Sequence, residues 1–159
     1  ARENNVPYMG ICLGMQVAVI EFARNVLGIS NAYSSEFSKN CTPVIDIISD
    51  CDTPDYGGTL RLGAYPCEIT PNTLAEKIYG TTSIGERHRH RYEMDIALEQ
   101  KFASAGMIIS GRSPDGRLPE IIELQNHPFF IAGQFHPEFQ SSPYSGHPMF
   151  NAFIAAAKH

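Results

Sequence analysis

The segment Gly10-Ile11-Cys12-Leu13-Gly14 constrains the fold of this chain more than any other. Ahead of it, Val6 to Ile11 has the apolar character of a short buried strand. Behind it, Met15, Ala18, Val19, Phe22, Ala23 and Val26 recur at offsets of three and four, which predicts a helix over Gly14 to Leu27 with Gly28 at its C′ position. A strand that becomes a helix within a residue or two needs small neighbours around the turn, and it exposes the central side chain at the first helical turn. Cys12 occupies that position. The helix terminus is expected to favour its thiolate over a thiol that ordinarily titrates near roughly 8.5, and the Leu13 N–H would face a developing oxyanion. A buried structural cysteine between two turn glycines is the bland alternative.

The remaining pattern mixes strands and helices, without internal repeats, and the fold class is α/β. Ser30 to Gly58 reads as loop, interrupted by a strand at Val44 to Ile48. Thr59 to Ile69 is expected to form one or two strands, and Pro71 to Tyr79 a short helix ended by Gly80. After Arg87-His88-Arg89-His90-Arg91, a helix carrying Met94, Ala97, Leu98, Phe102 and Ala105 is predicted to close at Gly106. Met107 to Ser110 follows as a strand, then a turn at Pro114-Asp115-Gly116. Glu120 to Gln125 and Phe129 to Phe135 form a predicted hairpin across Asn126-His127-Pro128, and Pro148 to Ala157 a final helix.

Composition narrows the function. With 159 residues, 43% of them hydrophobic and 18% charged, the chain has material for one core and is too apolar for disorder. Its net charge of −5 disfavours nucleic acid and anionic membranes as partners. No run approaches the roughly 20 apolar residues of a bilayer span. Four cysteines without CxxC spacing fit a reducing compartment, so a soluble cytoplasmic protein is expected. The chain opens on Ala1 with no initiator methionine and runs almost at once into its first strand, as a fragment would.

A thiol nucleophile needs a base. Among six histidines, His136 in Gly133-Gln134-Phe135-His136-Pro137-Glu138-Phe139 ends a predicted strand two residues from a carboxylate that could orient its ring, leaving the second nitrogen for a thiol. A surface histidine in a proline-containing loop is the alternative. The Arg87 to Arg91 run reads as a solvated or interface-forming loop. It lacks aromatic interleaving for nucleic acid and has no acid or cysteine at a spacing seen in zinc sites, so no metal is expected. Gly57-Gly58 reads as a turn.

The elbow Gly10 to Gln16 and the run Gln134 to Phe139 resemble the two signatures of class I, or triad, glutamine amidotransferases. Ser34-Ser35-Glu36-Phe37, Gly57 to Gly63 and Glu86 to Glu93 resemble, more narrowly, the glutaminase domain of CTP synthases. The resemblance covers nearly the whole chain. It implies a flavodoxin-like fold with a central mixed sheet, Cys12 as nucleophile, His136 as base and acid, and Glu138 as the residue orienting His136. It also implies glutamine held by Leu13, Gly14, Met15 and Gln16 near the elbow and by Glu36 and Arg91, whose charges suit the α-ammonium and α-carboxylate of a zwitterion.

The same resemblance implies glutamine hydrolysis that supplies ammonia for amination of UTP to CTP, a synthase domain normally in cis, and a homo-oligomer in the intact enzyme. ATP and magnesium would belong to the synthase domain and no cofactor to this chain. In the family, strands and a glycine-rich loop precede the elbow. Their absence makes residues 1–159 an amidotransferase domain incomplete at its N-terminus, expected to be a weak glutaminase alone and to expose an apolar strip beside Val6 to Ile11. The rivals are another triad amidotransferase, a γ-glutamyl hydrolase, or a non-catalytic interaction module.

Overall fold

A computed structural model describes residues 1–47 and 60–158. Its first element, β1 (Tyr8–Ile11), runs into α1 (Leu13–Asn25). Then come β2 (Ala32–Ser34), β3 (Thr42–Ile47), β4 (Arg61–Ile69), α2 (Leu74–Tyr79), β5 (Ser83–His90) and β6 (Tyr92–Met94). The order ends with α3 (Glu99–Ser104), β7 (Met107–Arg112), β8 (Pro119–Leu124), β9 (Phe130–Gly133) and α4 (Pro148–Ala157). Ile48, Cys51, Gly57, Gly58 and Thr59, which entered the sequence reading, lie outside the described residues.

Six strands form a central mixed sheet in the order β1-β9-β8-β7-β4-β5. The β1/β9 pair is parallel, with Ile11 opposite Gly133, and the other neighbours are antiparallel. A second sheet, β2-β3-β6, shares one buried cluster with α1 and the first sheet. Alternation along the inner strands divides the core. Ile122, Phe130 and Ala132 pack under α1 with Val19, Phe22, Ile45 and Phe102, while Ile121, Ile131 and Phe135 face α2 and α4 with Ala75 and Met149.

The predicted hairpin across Asn126 to Pro128 is present, with Glu123 opposite Ile131, and α1, α2 and α4 stand close to their expected places. Three expectations need correction. The segment read as loop from Ser30 contains β2 as well as β3, held together as a parallel pair. The helix drawn from Met94 to Ala105 is only α3 and a 3-10 turn. Met94 pairs with Ile45 in β6, and the Asp95 side chain accepts from the Ala97 N–H at 2.9 Å, which restarts the chain as a capped turn.

The third concerns Arg87 to Arg91, which is not a solvated loop: through His90 it is the end of β5, paired with β4 from Arg61↔His90 to Glu68↔Ser83. Its two-residue alternation buries Glu86, His88 and His90 and leaves Arg87 and Arg89 exposed. Near the first strand, Val6 and, on α1, Val17 are each about half exposed.

Candidate active site

Cys12 sits between β1 and α1 with φ 49° and ψ −103°, a conformation that L-residues seldom adopt. Its N–H donates to the Gly133 carbonyl at 2.8 Å, continuing the β1/β9 pairing, while its carbonyl already accepts from the Gln16 N–H at 3.3 Å. One residue therefore belongs to both strand and helix. Gly10 makes this possible, since a Cβ there would lie 2.7 Å from the Ala132 Cβ and 2.9 Å from the Gly14 carbonyl carbon. Gly14 is different. A Cβ on it would meet nothing closer than the Tyr8 hydroxyl at 3.7 Å, so the turn requires a small residue on one side only.

The thiol does not have the electrostatics expected of it. Burial pushes the Cys12 pKa up, the Leu13 N–H and the Gln134 amide pull it back, and Glu138 and Glu36 push it up again. The resting group is a thiol, and forming the thiolate requires a base.

His136 follows β9 as Cys12 follows β1, so both leave the C-terminal ends of neighbouring parallel strands. Its Nδ1 stands 2.7 Å from Glu138 Oε1, a contact in which the ring donates its Nδ1 proton to the carboxylate. The His136 N–H donates to the Arg87 carbonyl at 2.8 Å. Pro137 opens the 3-10 turn Pro137–Gln140 that carries Glu138. The turn is pinned from its far end. Gln140 Nε2 donates to Glu86 Oε2 at 2.6 Å, and the Tyr79 hydroxyl and His147 Nε2 meet Glu86 Oε1 at 2.9 and 2.8 Å.

Beside Cys12 a cleft of about 450 Å³ opens, walled by Leu13 and Gln16 of α1 and by Glu36 and Phe37 after β2. Its opposite wall is Arg89, His90, Arg91 and Tyr92 at the β5–β6 turn. Of the residues expected around glutamine, Leu13, Gln16, Glu36 and Arg91 thus share one cleft with the thiol. Gly14 and Met15 are not part of its lining: the Gly14 carbonyl accepts from the Tyr8 hydroxyl at 2.7 Å, and Met15 is buried in the core under α1.

Sequence reasoning passed over Gln134, which is fully buried and donates from Nε2 to Cys12 Sγ at 3.6 Å. Gln16 Nε2 links to it, donating to Gln134 Oε1 at 3.4 Å and to the Tyr92 carbonyl at 2.9 Å. The available signal was its place two residues before His136, directly after a strand with both faces buried.

The chain as a whole is similar to known proteins. The family model of glutamine amidotransferase class-I matches residues 1–156. The chain belongs to the class-I glutamine amidotransferases. It is 56% identical over 157 residues to a CTP synthase of Rubrobacter xylanophilus and 58% identical over 160 residues to one of Roseiflexus sp.. These alignments take in 98% and 99% of this chain but 28% and 29% of those proteins, so the chain spans about three-tenths of their length. Among solved structures it matches the glutaminase domain of the Trypanosoma brucei CTPS, described with bound acivicin. The TM-score is 0.91 and the identity 44%, over 99% of this chain and 62% of that one. A glutamine amidotransferase of Thermotoga maritima shares the fold, at TM-score 0.51 and 13% identity, over 99% of this chain and half of that one. Among the described residues no helix is long and apolar enough to cross a membrane.

Proposed function

We propose that this amidotransferase chain hydrolyses glutamine to glutamate and ammonia at Cys12, as the glutaminase part of a CTP synthase that delivers the ammonia to UTP. The observation that carries the reading is the shared cleft: a strained cysteine at a helix start, with Glu36 and Arg91 on facing walls of the same cavity to receive the ammonium and carboxylate of a free amino acid.

In this mechanism His136 Nε2 takes the Cys12 proton, and the sulfur attacks the carboxamide carbon. The oxyanion of the tetrahedral species is met by the Leu13 N–H. Glu138, bound to Nδ1, stabilises the imidazolium formed in this step. His136 returns the proton to the departing nitrogen, ammonia leaves, and a glutamyl thioester remains. Water then gives a proton to His136 and attacks the thioester carbon. Glutamate departs as the sulfur recovers its proton. Binding of UTP, ATP and magnesium belongs in this reading to a synthase domain, and no step above passes through them.

The test is glutamate release from glutamine, measured for the chain and for its Cys12→Ala and His136→Asn variants, each also joined to a synthase domain. Turnover lost in both variants while folding is kept supports the assignment. Undiminished turnover in Cys12→Ala ends it.

A further inference from the structure

The inward face of β5 holds a ring of buried ionisable groups that the proposed mechanism does not use. His88 Nδ1 lies 2.8 Å from His90 Nε2. Outward from this central contact, His88 Nε2 lies 3.2 Å from Glu120 Oε2 on β8, and His90 Nδ1 lies 3.5 Å from Glu93 Oε1 on β6. Arg61 on β4 closes the ring, bonded to Glu120 Oε1 and 3.2 Å from Glu93 Oε1. All five side chains are at most 5% exposed. His88 Nε2, His90 Nδ1 and Glu120 Oε2 make no well-formed hydrogen bond among the described residues; the outer contacts face them, and the Tyr92 backbone is a further partner within reach of the His90 ring.

Around the ring, the Tyr65 side chain of β4 stands edge-on to His88. Cys67 of β4 and Asp115 of the β7–β8 turn lie within electrostatic range of Glu120, Asp115 also of Glu93, and His136 of both imidazoles. Burial first, then the Arg61 charge, pushes His88 down to about 2 and His90 to about 3, so both rings are neutral. Burial pushes Glu93 and Glu120 up.

Proton counting then decides the state. For all three contacts in the row Glu120, His88, His90, Glu93 to close as hydrogen bonds, each needs one proton, and two neutral imidazoles bring two. The third must sit on a carboxyl group. If it is on Glu120, each ring carries its proton on Nδ1 and Glu93 is the anion; if it is on Glu93, each ring carries it on Nε2 and Glu120 is the anion. Either way one carboxylate balances Arg61, and the interior bears no net charge, whose burial would be strongly disfavoured.

We propose that Glu120, His88, His90 and Glu93 form a buried relay that shares three protons, one of them on a carboxyl group at neutral pH, and that it positions the β5–β6 turn forming one wall of the thiol cleft. That turn is the single residue Arg91, flanked by His90 and by Tyr92-Glu93, so the relay grips both of its ends. Tyr92 passes the position on, since its carbonyl accepts from Gln16 beside the thiol. Loss of the third proton in alkali leaves one contact empty and one charge unbalanced, and the grip weakens. The role in positioning rests on the cleft being the glutamine site; the relay itself does not.

The experiment is NMR of the chain carrying 13C-labelled Glu side chains and 15N-labelled His rings, titrated across neutral pH, with Glu93→Gln and Glu120→Gln alongside. One buried carboxyl should remain protonated at pH 6.5 and titrate above neutrality. Glu93→Gln should place both ring protons on Nε2, and Glu120→Gln should place both on Nδ1. Two ionised carboxylates beside an imidazolium at pH 6.5, or the same tautomers in both variants, overturn the relay. If the turn depends on it, the wild-type KM for glutamine should rise by roughly tenfold per pH unit above the carboxyl midpoint relative to Glu93→Gln, with parallel kcat profiles. Parallel KM profiles overturn the positioning role. Absence of glutamine turnover at every pH counts against the proposed function instead, and the NMR result stands apart from it.

Discussion

At Cys12 a strained backbone is combined with a thiol whose pKa is raised, chiefly by burial. Reactivity there depends on what enters the cleft. An electrophile shaped like glutamine should label Cys12 selectively, whereas iodoacetamide at pH 7 should react no faster than with an ordinary thiol. Mass spectrometry after timed quenching would read both. A tenfold preference of iodoacetamide for Cys12 over free cysteine would show a thiolate already formed. Cys67, fully buried and with its thiol pushed far up by the same burial, should stay unlabelled until the chain unfolds. The two elbow glycines should also part company. Gly10→Ala forces a Cβ into the backbone of the turn and should cost about 1 to 3 kcal/mol along with the activity. Gly14→Ala has room and should keep most of both. Equal losses in urea midpoints and turnover would contradict this division.

Among the elements, the short turn Pro137–Gln140 buries little of its own and depends on its neighbours. Glu86 is its anchor. His147 caps α4 by accepting the Met149 N–H on Nδ1 at 3.2 Å, which leaves Nε2 protonated and donating to Glu86. Helix α4, the Tyr79 end of α2 and the His136 turn are thereby tied to one carboxylate on β5. In Glu86→Gln the amide oxygen can still accept from two donors, but its NH₂ then faces the NH₂ of Gln140. We expect about 1 to 3 kcal/mol of lost stability from that mismatch. The proposed mechanism adds a kcat lower by roughly tenfold to a hundredfold, with KM nearly unchanged, because the base is displaced while the cleft walls are intact. Steady-state kinetics on the folded variant decides it. A raised KM with unchanged kcat would place Glu86 in substrate binding.

Over the whole molecule, the relay gives stability a characteristic pH dependence. In acid, the unfolded chain protonates His88 and His90 near about 6.5 while the folded rings stay neutral, so stability falls as pH falls below that value. In alkali, the folded chain still holds the carboxyl proton that unfolded glutamate gave up near about 4.3, so stability falls as pH rises above neutrality. Both states carry three protons near about pH 6.5, and the relay's contribution peaks there. On the alkaline side the slope should stay below about 1.4 kcal/mol per pH unit and flatten as the folded carboxyl titrates, and Glu93→Gln should be flat by comparison. Urea midpoints from pH 5 to 8.5 measure the difference. Parallel curves above pH 7 would remove the shared proton from the account.

The local code of this protein was readable in the chain itself. Glycines around Cys12, the three-and-four spacing of α1, the turn before Phe129 and Gly80 at the end of α2 each state a preference satisfied within a few residues. The elbow and the His136-to-Glu138 spacing were legible for that reason. The alternation of Arg87 to Arg91 was also present in the sequence, but it reads as a strand only when something can bury two histidines. Glu120 from β8 of the same sheet and Glu93 from β6 of the second sheet supply that environment. Likewise Met94 is a helical residue by spacing and a strand residue once Ile45 lies opposite. The pKa of Cys12 reversed its expected direction because burial, a property of the assembled layers, outweighed the terminus of α1. Short-range sterics and capping act before the chain is folded, whereas the protonation of buried groups depends on which distant strands close over them.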